Sequence, residues 1–180
     1  MTNTEPETGD LATALGRAAE LLRVNPAAAS LQAREILRHY PNEKHATVLL
    51  ASAERRCGRP ETALGIAATA VEASPGLAIA HEELGLSMLG AGRADEAETA
   101  LLTALALDDR LATAWKALGD IRAQRGDQEG SRDAFHKYNE LSAGDPDLLE
   151  AAQSLYSGRL GVAEQLCREF LKRNPTNVSG

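Results

Sequence analysis

Aromatic residues are scarce in this chain of 180 residues, of which Phe, Trp and Tyr together make up 3%. Residues that favour strands are also sparse, and they never alternate with polar residues over a useful length. Ala and Leu are abundant instead, and both lose little side-chain freedom in a helix. The composition therefore excludes a sheet-based core and predicts an all-α protein whose core is built from small aliphatic side chains.

Basic residues are outnumbered by acidic ones, and the formal net charge is -7. Binding to a phosphate backbone needs clustered Lys and Arg, which this chain does not have. Cys57 and Cys167 are the only cysteines, so we predict a reduced, cytoplasmic setting without a disulfide framework. Residues 1–10 do not resemble a signal peptide, and no apolar run has the length of a membrane span. We therefore expect contact with neither nucleic acid nor membrane.

A fixed period runs through the chain, and the step from Gly58 to Gly92 equals the step from Gly92 to Gly126. Other residue types follow the same period: Leu50, Leu84 and Leu118; Ala63, Ala97 and Ser131; Ala67, Leu101 and Phe135. The glycines fall between helical patterns, where a residue without a Cβ can adopt the left-handed conformation that ends a helix. Pro26 and Pro60 fall at the start of the second helix of a unit, where a missing N–H is tolerated. The period predicts a stack of similar helix pairs.

Five helix pairs are predicted from this period. Their helices span residues 10–24 with 27–39, 43–57 with 60–73, 78–91 with 94–107, 112–125 with 128–142, and 146–157 with 160–173. The repeat units then run 10–43, 44–77, 78–111, 112–145 and 146–175. Residues 1–9 are expected to form a disordered tail, and residues 176–180 a tail or a truncated linker. The step from Gly126 to Gly158 is shorter than the period by two, so the fifth pair is out of register.

The order of residues within a period is more specific than the period itself. Two consecutive units carry it most fully, in Leu84, Gly85, Gly92, Ala97, Leu101 and Ala104 and then in Trp115, Leu118, Gly119, Gly126, Ser131 and Phe135. In this order the chain resembles the tetratricopeptide repeat. The resemblance implies an all-α, right-handed superhelical solenoid of antiparallel helix pairs, in about five units. It also implies a protein that works by binding rather than by catalysis.

The resemblance further implies where a partner would bind, since the first helix of each pair lines the concave face of such solenoids. The inward candidates are His45, Val48, Ser52, Arg55, Ile79, Glu82, Leu86, Leu89, Thr113, Lys116 and Asp120. We expect a protein or peptide partner in this groove. Family members that clamp the C-terminal carboxylate of chaperones carry Lys, Asn and Arg at fixed inward positions, which this chain lacks. The alternative is that the groove binds nothing and the array only spaces or orients another part.

A narrower resemblance is carried by residues 26–41, 115–120, 145–149 and 158–164. These stretches are similar to the N-terminal repeats of bacterial tetratricopeptide-repeat sulfotransferases. The similarity implies a bacterial protein whose array is the non-catalytic arm of an enzyme that uses the sulfate donor PAPS. In that case the arm positions a substrate or a partner protein. The donor-binding loop is missing from this chain, so no catalytic residue can be carried over.

Residue arrangements that imply chemistry are absent from the sequence. The four histidines, His39, His45, His81 and His136, do not pair with each other or with Cys at metal-ligand spacing. No Ser, Cys or His stands in a recognisable nucleophile setting. We therefore predict no catalytic residue, no metal site and no cofactor.

The last predicted helix carries more apolar side chains than one neighbouring helix pair can cover. Leu166, Phe170 and Leu171 belong to this apolar surface. We expect these three residues to form an association face, covered either by a second copy of the chain or by the continuation of a longer protein.

Overall fold

The computed structural model describes residues 10–142, 151, 154 and 159–173, and all the regular secondary structure in them is α-helical. The helices are α1 (Leu11–Val24), α2 (Pro26–His39), α3 (Lys44–Arg56), α4 (Pro60–Ala73), α5 (Ala78–Gly90), α6 (Ala94–Leu107), α7 (Ala112–Gln124), α8 (Gln128–Ser142) and α9 (Leu160–Arg173). Each of these bounds lies within one residue of the predicted one. Most of the helix predicted at 146–157, and with it the junction between the fourth and fifth pairs, falls outside the described residues.

The helices begin and end at the prolines and glycines for which the sequence predicts these roles. Pro26 and Pro60 are the first residues of α2 and α4. Gly58, Gly92 and Gly126 have φ angles of 76°, 76° and 80°, in the left-handed region that favours glycine. In each of these three turns the residue after the glycine donates its N–H to a carbonyl five residues back: Arg59 to Glu54, Arg93 to Met88, and Asp127 to Arg122. This is the Schellman type of helix end, and it recurs at the predicted period.

Within a pair, the two helices approach closely at a glycine of the first helix. A Cβ placed on Gly85 would lie 2.7 Å from Cγ of Leu101 in α6, and one on Gly119 would lie 2.9 Å from Cε1 of Phe135 in α8. No side chain fits at either distance without displacing its neighbour. Gly85 and Gly119 therefore lie between the two helices of their units.

The order of helix contacts shows how the stack curves. Consecutive helices pack against each other from α1 to α8, and the first helices of the units also pack together, as α1 with α3, α3 with α5 and α5 with α7. Among the described helices, α2, α4, α6 and α8 make no such contacts with one another. Helices on the inside of a curved stack crowd together, and those on the outside spread apart. We call α1, α3, α5 and α7 the inner helices, and α2, α4, α6 and α8 the outer helices.

The core follows the interfaces between these two layers. The largest buried cluster of the described residues joins α6, α7 and α8 through Ala97, Leu101, Leu105, Ala114, Ala117, Leu118, Ile121 and Ala134. Leu101 and Leu118 are fully buried and are among the largest buried side chains of the described residues. Small side chains elsewhere in the core allow the backbones to approach closely.

Candidate functional site on the concave face

The candidate site is the concave face of α3, α5 and α7, which we call the groove. All eleven predicted inward residues lie on these three inner helices. Their exposure and residue types divide them into three parts. The residues on α3 are largely buried, those on α5 are half-buried and mainly apolar, and those on α7 are polar and largely exposed. Each part has its own chemistry.

On α3 the structure buries two of the predicted groove residues. Val48 and Ser52 are 8% and 9% exposed, so neither offers much surface to a partner. His45 is exposed, and its Nδ1 lies 3.1 Å from Oε1 of Glu43, the N-cap residue of α3. Arg55 is partly buried and points towards α5. The α3 part of the groove is therefore held largely by contacts within the protein.

The polar centre of this part is Glu83 of α5, whose side chain is 5% exposed. Its carboxylate accepts hydrogen bonds from Ser52 Oγ at 2.5 Å, from Arg55 Nε and Nη2 at 2.7 and 3.1 Å, and from Ser87 Oγ at 3.3 Å. A buried carboxylate needs such partners because desolvation penalises the charged form. The network joins α3 to α5 along the groove and neutralises the charge of Glu83.

Glu83 is not among the groove residues that the sequence predicted. One signal in the repeat could have identified it, because Glu83 stands where the neighbouring units have Leu49 and Ala117. Ser52 likewise stands where the next unit has Leu86. Buried polar groups are almost always hydrogen-bonded, so two polar residues at repeat positions that are apolar in the neighbouring unit are candidates to pair with each other.

Glu82 is the neighbour of Glu83 on α5, and its setting is different. It is half-buried and forms no ion pair with any residue that the structure describes. Burial raises the pKa of Glu82, and the charges of Glu83 and Asp108 raise it further. The nearby backbone N–H of Ala114, in the first turn of α7, and the positive charge of Arg55 act in the opposite direction.

Apolar side chains surround Glu82 on the same face of α5. Ile79 precedes it by one helical turn, Leu86 follows it by one turn, and Leu89 follows Leu86. All three are half-buried. Ile79 packs against a small cluster that includes Val48, while Leu86 and Leu89 pack against the main core cluster. The centre of the groove is thus an apolar surface with one carboxylate in it.

On α7 the groove is open and polar. Thr113 and Lys116 are exposed, and Asp120 is partly exposed. Lys116 Nζ donates to Asp120 Oδ2 at 2.8 Å, one turn along the same helix, and this contact raises the pKa of Lys116. The pair carries no net charge. Ala123, which follows Asp120 by one turn on α7, is exposed.

The second predicted site, the association face, is described only in part. Leu166 is half-buried on α9, while the side chains of Phe170 and Leu171 lie outside the described part of the chain. One face of α9 is polar and exposed, with Glu164, Gln165, Arg168, Glu169 and Lys172. Apolar exposure on the described part of α9 is found in its first turn, at Leu160 and Val162, which are 66% and 42% exposed.

No group of three or more His, Cys, Asp or Glu within the described ranges could hold a metal ion. Cys57 and Cys167 are free thiols and half-buried. None of the helices in the described part of the chain is long and apolar enough to cross a membrane.

Comparison with known proteins shows which family and which solved structures this architecture resembles. A family model of the tetratricopeptide repeat matches residues 25–78 and 82–146, more than half of the chain. No curated protein matches the chain. A thermophilic TPR protein from Thermus thermophilus superposes with a TM-score of 0.69 at 20% identity, over 92% of each chain.

MamA from Desulfovibrio magneticus RS-1, from residue 41 to its end, superposes with a TM-score of 0.60 at 21% identity, over 78% of this chain and 80% of that one. A double mutant of MamA RS-1 gives 0.58 at 22% identity, over 77% and 78%. At these identities the likeness to solved structures is one of fold. The match of the family model, together with the repeated helix ends and hairpin contacts, shows that the chain belongs to the tetratricopeptide repeat family.

Proposed function

We propose that this chain is a protein-interaction module that holds a peptide or a partner domain in the groove. The observation that carries the proposal is the continuous concave face of α3, α5 and α7, whose centre presents Ile79, Leu86 and Leu89 half-buried. Contiguous apolar surface with a polar border is typical of binding sites. On the outer helices, by contrast, the exposed apolar residues stand singly, as Leu31 on α2 and Leu102 on α6 do.

Two ion pairs of the groove also favour binding over catalysis. Glu83 is held by Arg55, and Lys116 is held by Asp120. A catalytic acid or base needs a partner arrangement that leaves its proton free to move towards a substrate. Groups that are already paired supply fixed polar contacts instead. The tetratricopeptide repeat fold, whose members are generally non-catalytic, agrees with this interpretation.

Peptide selection tests the proposal, with matched substitutions to locate the site. A library of random peptides displayed on phage is selected against the full chain, and the binders are measured against four variants. Ala123→Arg and Thr113→Arg place a large charged side chain in the groove, whereas Ala106→Arg and Thr103→Arg place it at exposed positions on the outer helix α6. We expect the two groove variants to weaken binding at least tenfold and the two outer variants to leave it unchanged. Equal effects on the two faces would refute the groove as the site.

The finer resemblance to sulfotransferase arrays has no counterpart in the family model or in the solved structures named above. No observation of this structure favours it either. The interaction module is therefore the function we propose.

Self-association through α9 remains a separate proposal. Substitution of Leu166, Phe170 and Leu171 by Glu is expected to give a monomer that stays folded, with its mass measured by light scattering. If the unmodified chain is already a monomer at high concentration, the proposed association face is wrong.

A further inference from the structure

The charges along the groove do not cancel, and the residual charge lies at one position. Arg55 pairs with Glu83 on the α3 side, and Lys116 pairs with Asp120 on the α7 side. His45, at the N-terminal end, contacts Glu43. After these pairs are counted, the groove retains the carboxylate of Glu82, which has no ion-pair partner among the described residues.

The structural role of Glu82 does not need its charge. Its carboxylate lies near the N–H of Ala114, one of the N–H groups at the start of α7 that have no partner within the helix. A neutral Gln would present an acceptor oxygen to the same N–H. A carboxylate at this position is disfavoured by its burial and by the adjacent charge of Glu83. Among the described residues, the one positive charge that favours the charged form of Glu82 is that of Arg55, which is already paired with Glu83.

The surroundings of Glu82 define what could use the charge. Ile79 lies one turn before it and Leu86 one turn after it, and both are half-buried on the same face of α5. A long side chain with an apolar stem and a cationic head could lie along these residues and place its head at the carboxylate, as Lys and Arg commonly do at apolar surfaces. Removal of water from the contact would strengthen the attraction.

We propose that the groove selects a partner segment that presents a Lys or Arg side chain between apolar residues, with Glu82 as the counter-charge. The inference rests on the proposed function and goes beyond it by naming the chemistry of the partner. The inference predicts a groove whose negative charge binds a cationic side chain, whereas a groove that binds a carboxylate needs positive charge.

The experiment compares the peptides selected by three forms of the full chain. One is the unmodified chain, one carries Glu82→Gln, and the control carries Glu72→Gln, which removes an exposed carboxylate on the outer helix α4. We expect the unmodified chain and the control to enrich Lys or Arg at one position between apolar residues. The Glu82→Gln chain is expected to lose that enrichment.

A quantitative arm uses the peptide that binds the unmodified chain most tightly and an analogue with norleucine in place of its basic residue. The unmodified chain is expected to bind the basic peptide roughly tenfold more tightly than the analogue. In Glu82→Gln the ratio is expected to fall to about one. If Glu82→Gln fails to fold, Glu82→Asp replaces it. The ratio of the two affinities is then expected to fall but to stay above one.

The outcomes separate the inference from the proposed function. Peptides that are blocked by Ala123→Arg but show no basic position, or that keep the same ratio in Glu82→Gln, overturn the inference and leave the groove as a binding site. Selection of no peptide that Ala123→Arg blocks overturns both.

Discussion

The contact inside a helix pair is built alike in the third and fourth pairs, whereas the junction between consecutive pairs changes its chemistry at each step. Inside the third and fourth pairs a glycine faces a large side chain, as Gly85 faces Leu101 and Gly119 faces Phe135. Each junction can be represented by one residue of an outer helix and the residue 24 positions later on the next inner helix. The repeat places these pairs at equivalent positions in the three junctions. These are Ser30 with Glu54, Leu64 with Met88, and Glu98 with Arg122.

The first junction is polar and buried. The side chain of Glu54 is 2% exposed, and its carboxylate accepts hydrogen bonds from Ser30 Oγ at 2.6 Å, Arg34 Nη2 at 3.0 Å and Arg59 Nε at 2.5 Å. The bond from Arg59 is the largest of the effects that lower the pKa of Glu54 to about 2. The equivalent residues of the second junction, Leu64 and Met88, are apolar and half-buried.

The third junction is an ion pair nearer the surface. Arg122 Nε lies 3.5 Å from Glu98 Oε1, and Arg125 also contacts Glu98. The difference teaches that close backbone approach requires a glycine opposite the large side chain inside the third and fourth pairs. A junction needs only that its two side chains suit each other.

The largest effect is expected from filling the contact inside a pair. Gly119→Leu should reduce the free energy of unfolding by roughly 2–3 kcal/mol, because even a Cβ at this position would lie 2.9 Å from the ring of Phe135. Gly65→Leu is the matched control, since Gly65 is helical and exposed, and a Cβ added there would meet no atom within 4 Å. Urea unfolding of both variants measures the difference. Equal effects would mean that the hairpin contact is not what constrains Gly119.

A smaller effect is expected from converting the first junction into the second. Glu54→Met should cost about 2 kcal/mol, because Ser30 loses its buried hydrogen-bond acceptor. The double variant Ser30→Leu with Glu54→Met copies the Leu64 and Met88 pair and should recover most of that loss. A double-mutant cycle by urea unfolding gives the coupling. Simple additivity of the two substitutions would contradict the equivalence of the junctions.

The first junction should also make the protein sensitive to acid. Because the folded-state pKa of Glu54 lies below its ordinary value of 4.5, the stability that it contributes is present above that value and is lost as pH falls towards about 2. Between pH 5 and pH 3 we expect Glu54→Gln to lose roughly 1–2 kcal/mol less stability than the unmodified chain, allowing for the partial exposure of both arginines. Parallel stability curves would show that the carboxylate is not strongly paired.

The smallest effect is expected at the third junction. Arg125 is 40% exposed and also pairs with Asp95, which is 94% exposed. Arg125→Ala should therefore lower stability by less than about 1 kcal/mol, and less again at high salt. A loss of stability as large as that of Glu54→Met would show that the contribution of a junction to stability does not follow the exposure of its side chains.

The fold could be predicted from the sequence because it depends on features that repeat. Gly58 ends a helix and Pro60 begins one for local reasons, and the glycine acts in the same way again at Gly92 and Gly126. The polar networks were not predicted, because they interrupt the repeat. Glu83 takes partners from α3 at Ser52 and Arg55, and no local pattern reveals which neighbours a side chain will meet.

The candidate groove was predicted by position but not in its detail. The inner helices carry the predicted residues, yet Val48 and Ser52 are buried, so the accessible surface is smaller than the predicted set. The different settings of Glu82 and Glu83, adjacent on one helix, also depend on tertiary contacts. Arg55 reaches one carboxylate, and the other lies beside the start of α7.

Methyl NMR of the full chain, titrated with the tightest peptide from the display selection, tests the concave face as the binding surface most directly. The account predicts that the methyl signals of Ile79, Leu86 and Leu89 shift, while those of the outer-helix residues Leu31 and Leu102 do not. Shifts confined to Leu31 or Leu102, with the three groove residues unchanged, would contradict it.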